Sequence, residues 1–196
     1  MVDHKKIIYL VIALAGVLLV VELAWAYATL YKSSGSKNIT ALPTAIQSQK
    51  TKISLVAPKT SLTVGEEVTV AVSISSTALT DGTDLVINYD SKFLEVVPAQ
   101  GVQTPIAVGS IYSQYPNNKL DTLRGIITAS GISSEKNGIL ANGIFGTIVF
   151  RAKAMGSAQV SINYLPGATN ESNVIETATG KDVLGGVQNL QLVITK

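Results

Sequence analysis

Between Lys52 and Lys196, apolar residues recur at every second position in short runs cut by turn formers. Val68, Val70, Val72 and Ile74 alternate with Thr69, Ala71 and Ser73. Leu85 and Ile87 alternate with Asp84, Val86 and Asn88. Ile144, Gly146, Ile148, Phe150 and Ala152 form a third set, Val160, Ile162 and Tyr164 a fourth, and Leu190, Leu192 and Ile194 a fifth. A period of two places one set of side chains on one face of a strand, so each run predicts a strand with one buried face. Asp81-Gly82, Asn137-Gly138, Met155-Gly156, Pro166-Gly167 and Gly185-Gly186 read as turns between them. No helical stripe is present after residue 52. Eight or nine short strands in this length predict an all-β sandwich with jelly-roll or Greek-key connections.

The other end of the chain is different. From Ile7 to Leu30 the one charged residue is Glu22. As a helix this run would span about 36 Å, against a hydrocarbon core about 30 Å thick. Lys5 and Lys6 precede it, which places the N-terminus in the cytoplasm, and Trp25, Tyr27 and Tyr31 suit the outer interface. Two readings stand: residues 1–32 as a retained anchor, or as a signal peptide cleaved near Ala24-Trp25-Ala26 or Ala26-Tyr27-Ala28. A pilin-type processing site does not fit, because Gly16 lies inside the apolar run. Glu22, near the far end of the run, reads as a snorkelling or protonated carboxylate rather than a functional one. Residues 33–50, rich in Ser, Thr and small polar residues, read as a tether with an end-to-end distance of about 20–25 Å. Either reading puts residues 51–196 outside the cell, on the membrane if the anchor stays and secreted if it is cleaved. Asn38-Ile39-Thr40 and Asn170-Glu171-Ser172 match the N-glycosylation acceptor, which matters only in a host that reads it.

Composition narrows function. The chain has no cysteine, and its single histidine is His4. Disulfides, thiol nucleophiles, Ser-His-Asp chemistry and His-based metal sites are therefore not available to the predicted domain. Carboxylates available for a pair of the glycosidase kind include Glu66, Glu67, Glu95, Glu135 and Glu171, and no spacing selects two of them. Residues 1–51 carry five lysines against two carboxylates, whereas residues 52–196 carry ten Lys and Arg against eleven Asp and Glu. The domain has no basic surplus, so nucleic acid is not an expected partner. Carbohydrate binding usually uses flat aromatic faces. The domain has no Trp, and the candidate platform is Tyr112 with Tyr115 in a segment, 98–120, that reads as loop. A structural or adhesive surface role remains a third option.

Four segments together resemble the cohesin domain family. Gly82 to Asp90, GTDLVINYD, followed by Phe93-Leu94-Glu95-Val96, is similar to the family's Tyr-Asp hairpin. Val64-Gly65-Glu66-Glu67-Val68 is similar to its opening. Gly143 to Ala152 resembles its long late strand, and Asn170 to Val193 its close. The resemblance implies a nine-stranded jelly-roll sandwich and a non-catalytic role, with one sheet face binding the dockerin module of a secreted enzyme. Calcium in such complexes belongs to the dockerin, so neither metal nor cofactor is expected here. The family often places a partner-binding carboxylate five residues before the Tyr of Tyr-Asp, and Asp84 stands there. Val86 and Asn88 share its face by alternation, and Thr128 and Ser130 are expected on the neighbouring strand. A one-residue slip of that strand would reverse the face. Tyr89 and Phe93 are expected in the core, and Asp90 in a local turn bond.

Overall fold

The computed structural model describes Glu22 and residues 51–98, 104–168 and 170–196. The expected helix and linker otherwise lie outside the described residues. Among the described residues the alternation becomes twelve strands: β1 (Thr51–Val56), β2 (Ser61–Thr63), β3 (Glu67–Tyr89), β4 (Leu94–Val97), β5 (Ala107–Val108) and β6 (Gln114–Asp121), then β7 (Ile126–Ile132), β8 (Ile139–Ala152), β9 (Gly156–Ile162), β10 (Asn173–Glu176), β11 (Leu184–Gln188) and β12 (Leu190–Thr195). Nine were expected. The surplus comes from short pieces, since β2 has three residues and β5 two, and from a closing strand divided at Asn189 into β11 and β12.

β3 organises the fold. Its first half pairs with β1 on one side and β8 on the other. Its second half pairs with β7 on one side and with β10, then β9, on the other. A straight strand of this length would separate Val68 from Tyr89 by about 70 Å. Yet Phe150, the pairing partner of Val68, lies with its ring centroid 5.4 Å from that of Tyr89. β3 therefore folds over, and its two halves face each other across one core. Val70, Val72, Leu85, Ile87, Ile148 and Phe150 all belong to that single buried cluster. The bend lies where the β3–β8 register shifts, between Ser75 and Leu79. There Ser76 N–H donates to Asn142 Oδ1 at 2.7 Å and Ser76 Oγ donates to the Ala78 carbonyl. β1 runs parallel to β11, and β2 parallel to β12.

Four local expectations are corrected. Asp81-Gly82 is not a turn: Gly82 sits inside β3, opposite Ile132 of β7 and Ile175 of β10. A Cβ on Gly82 would lie 2.9 Å from the Gly131 carbonyl oxygen, so the missing side chain serves close strand approach rather than a reversal. Gly185-Gly186 is also no turn, because Gly186 pairs with Lys52 inside β11. Ile144 points outward, 36% exposed. Val72 faces Gly146 and Ser73 faces Ile144, so Phe145 is an extra residue on β8; this bulge inverts the alternation on its N-terminal side and buries Phe145. Segment 98–120 is not all loop, since it contains β5 and most of β6.

Candidate functional site

The face built by β6, β7, the second half of β3 and β10 follows from register. Ser130 of β7 lies opposite Asp84, Thr128 opposite Val86 and Ile126 opposite Asn88. Asn117 of β6 lies opposite Ser130, and Lys119 opposite Thr128. Asn173 of β10 flanks Asp84 on its other side. Successive residues alternate faces, so Leu85, Ile87, Ile127 and Ala129 turn into the core while Asp84, Val86, Asn88, Thr128 and Ser130 turn out. Asn117, Ser130, Asp84 and Asn173 thus form one polar row across four strands.

Asp84 is held from both sides. Ser130 Oγ donates to its Oδ1 at 2.6 Å, and Asn173 Nδ2 donates to its Oδ2 at 3.4 Å. A carboxylate with both oxygens engaged but its outer side open to solvent is a pre-set acceptor. Beside it, β3 passes from β10 to β9: the Val86 carbonyl accepts from Asn163 N–H at 2.8 Å, just past β9, but the Val86 N–H has no backbone partner. Ser172 fills that gap: its Oγ accepts from Val86 N–H at 2.9 Å and donates to the Val86 carbonyl at 3.2 Å. Ser172 is 2% exposed, so the sequon at Asn170 ends in a buried structural serine. Between this corner and β6 lies a groove of about 390 Å³, lined by Asp84, Val86, Asn117, Lys119, Glu171 and Asn173 among others.

The tyrosines do not form a sugar platform. Tyr112 is buried, with its ring edge-on to Phe145 at 6.0 Å, and Tyr115 meets the same ring at 5.2 Å. The Tyr112 hydroxyl bonds Thr83 Oγ1 at 2.8 Å and Thr80 Oγ1 at 3.3 Å. Burial holds its pKa above the ordinary tyrosine value, against the lowering effect of those hydroxyls. Tyr89 is buried and Phe93 partly buried, both against the core. Asp90 Oδ1 accepts from Lys92 N–H at 3.1 Å, as a turn residue does.

The family model described as "Cohesin domain" matches residues 53–184. The chain belongs to the cohesin domain family. No curated protein matches this cohesin in sequence. Among solved structures it is similar to a type II cohesin domain from the cellulosome of Acetivibrio cellulolyticus, at 19% identity and TM-score 0.62, covering 73% of this chain and 95% of that one. It is similar to the Coh-OlpA-Doc918 type I cohesin–dockerin complex of Clostridium thermocellum, at 16% identity and TM-score 0.55, covering 74% and 99%. It is also similar to the seventh ScaB type I cohesin of Pseudobacteroides cellulosolvens, at 18% identity and TM-score 0.55, covering 74% and 92%. At these identities the likeness is one of fold.

Within this cohesin the five residues expected from sequence share one face of two adjacent strands. Asn117, Lys119, Glu171, Asn173 and Ser172 complete that corner, and the sequence did not single them out for it. β6 reads QYPNNKLD, poor in strand formers, and Ser172 stood out only as the end of a sequon. Among the described residues no group of three or more His, Asp or Glu side chains could hold a metal ion.

Proposed function

We propose that this cohesin is a non-catalytic binding module that holds a dockerin module of another exported protein on the β6–β7–β3–β10 face. The observation that carries the reading is the geometry at Asp84. A carboxylate fixed by Ser130 and Asn173 stands on an otherwise mild surface of Val86, Asn88 and Thr128. Such a face suits a partner helix that brings apolar contacts and a few donors. Membership of the cohesin family, and likeness to a cohesin solved with its dockerin, support the same partner class. We further propose residues 1–32 as a membrane anchor, or as a signal peptide if cleaved, 33–50 as tether and 51–196 as the displayed domain, on the apolar run and linker composition. A polysaccharide partner loses its best support, because Tyr112 and Tyr115 pack on Phe145.

The test is to immobilise the chain and pass dockerin modules over it, with calcium and then with chelator. Binding that needs calcium supports the reading, since the metal folds the dockerin. Binding indifferent to calcium keeps a protein partner and removes dockerin. No binding leaves the structural or adhesive role.

A further inference from the structure

We propose that the outer face on the first half of β3, shared with β1, β8, β4 and β5, pairs with the same face of a second copy of this chain. This goes beyond the docking reading and does not rest on it. The two halves of β3 lie on opposite sides of one core, so this face points away from the β6–β7–β3–β10 face and leaves it open. Val56, Ala71, Thr147 and Ala107 stand side by side across its middle. Their chain neighbours Leu55, Val70, Val72 and Ile148 are buried, so alternation turns the middle row outward. The rows before and after it, Thr69 with Val149 and Ser73 with Ile144, are also uncharged. Val56 and Ile144 are exposed apolar side chains there. The edge beyond β8 adds no charge, because none occurs from Val96 to Asn118. The solvated face of an antiparallel sheet is normally polar, and a contiguous uncharged one marks an association surface.

Size and charge both select a second copy as the occupant. The face runs across five strands from β11 to β4 and along five rows, from Lys52 and Ser75 to Glu67 and Arg151. At ordinary strand and residue spacings that is about 800 Å², which is about what each partner gives to a stable interface. The outward charges of these strands lie at the two ends. Lys52 stands at one end, bonded to the neutral Gln188 and in no salt bridge among the described residues. At the other end Arg151 serves both Glu67 and Glu95, which leaves one negative charge unbalanced. Two copies turned face to face, about a two-fold axis lying between the sheets and across the strands, bring each Lys52 end to the other's Glu67 end. The face is therefore complementary to itself, as an isologous contact requires. The tether at residues 33–50 carries Lys37 and Lys50 and no carboxylate, so it matches the Glu67 end but not Lys52.

The full chain is tested in detergent micelles. It has no cysteine, so one introduced thiol reports one position. A short bis-maleimide joins Thr147→Cys, in the middle of the face, into a covalent dimer. It does not join Gln159→Cys, which is exposed on β9. Placed in the Thr147→Cys chain, Lys52→Glu and Glu67→Lys each raise the concentration needed for half-dimerisation about tenfold, because each reversal acts at two equivalent contacts. The double exchange of both residues restores it. Thermal melts separate lost pairing from lost folding. If Glu67→Lys melts early, Thr69→Lys, which puts a charge into an uncharged row, takes its place and lowers the dimer yield. No dimer at Thr147→Cys, equal yields at the two thiol positions, or a double exchange no better than the single variants overturns the inference.

Discussion

Ser130 Oγ donates to Asp84 Oδ1 at 2.6 Å from directly opposite it on the neighbouring strand. The bond fixes the rotamer of an exposed carboxylate at no cost in buried polarity. Asp84→Lys should therefore abolish dockerin binding, and Ser130→Ala should weaken it about threefold by freeing the carboxylate. Both variants should melt near wild type, because substitutions at such surface positions usually cost within about 0.5 kcal/mol. Surface plasmon resonance with a paired thermal melt is the measurement. Unchanged affinity in Asp84→Lys would remove this residue from the site.

Ser172 gives the Val86 N–H the partner that neither β9 nor β10 supplies. Ser172→Ala leaves the Val86 N–H without its partner in a part-buried place, at a cost of about 1–3 kcal/mol. Urea unfolding should show this as a lower midpoint with unchanged slope. A midpoint equal to wild type would mean that water replaces the hydroxyl there.

Phe150 and Arg151 are chain neighbours with opposite expectations. Phe150 is fully buried, and Phe150→Ala should cost about 3–5 kcal/mol. Arg151 bonds Glu67 and Glu95, both at 2.7 Å, across three strands. Its charge is exposed, so Arg151→Ala should leave the melting temperature close to wild type. A large loss in Arg151→Ala would show that the network clamps β4 onto β8.

Glu66 accepts a hydrogen bond from Lys59, and this, more than the backbone N–H of Thr63, holds its carboxyl below the ordinary glutamate value. A lowered folded value means that its stabilising effect is complete above the unfolded-state value and disappears as pH falls through the folded one. A side-chain titration followed by NMR should place the Glu66 midpoint below that of an ordinary glutamate. Lys59→Gln should move it up. An unmoved midpoint would assign the shift to the Thr63 N–H instead.

The alternation that made strands legible also fixed which residues of each run are buried, from Val68–Ile74 to Leu190–Ile194. It placed Asp84, Val86, Asn88, Thr128 and Ser130 on one side because no bulge interrupts either strand between them. Where a bulge does intervene, at Phe145, the reading inverted Ile144, since an inserted residue leaves no mark in composition. Asp81-Gly82 misled for a different reason. The pair is a strong hairpin signal, but here glycine is needed for the approach of Gly131. The corner at Ser172 and Asn173 was not legible, because these residues act through contacts with β3 that lie more than eighty positions away.

The parallel pairing of β1 with β11 sets the order in which this domain can form. Lys52 Nζ donates to Gln188 Oε1, 136 positions further along. During synthesis β1 appears well before its second neighbour, β11. Local contacts cannot complete it, and closing so long a loop is slow. β1 is thus completed only once β11 has been made. A chain cut short before Leu184 would keep most of its core sequence yet present β1 as a bare edge, ready to pair with another chain.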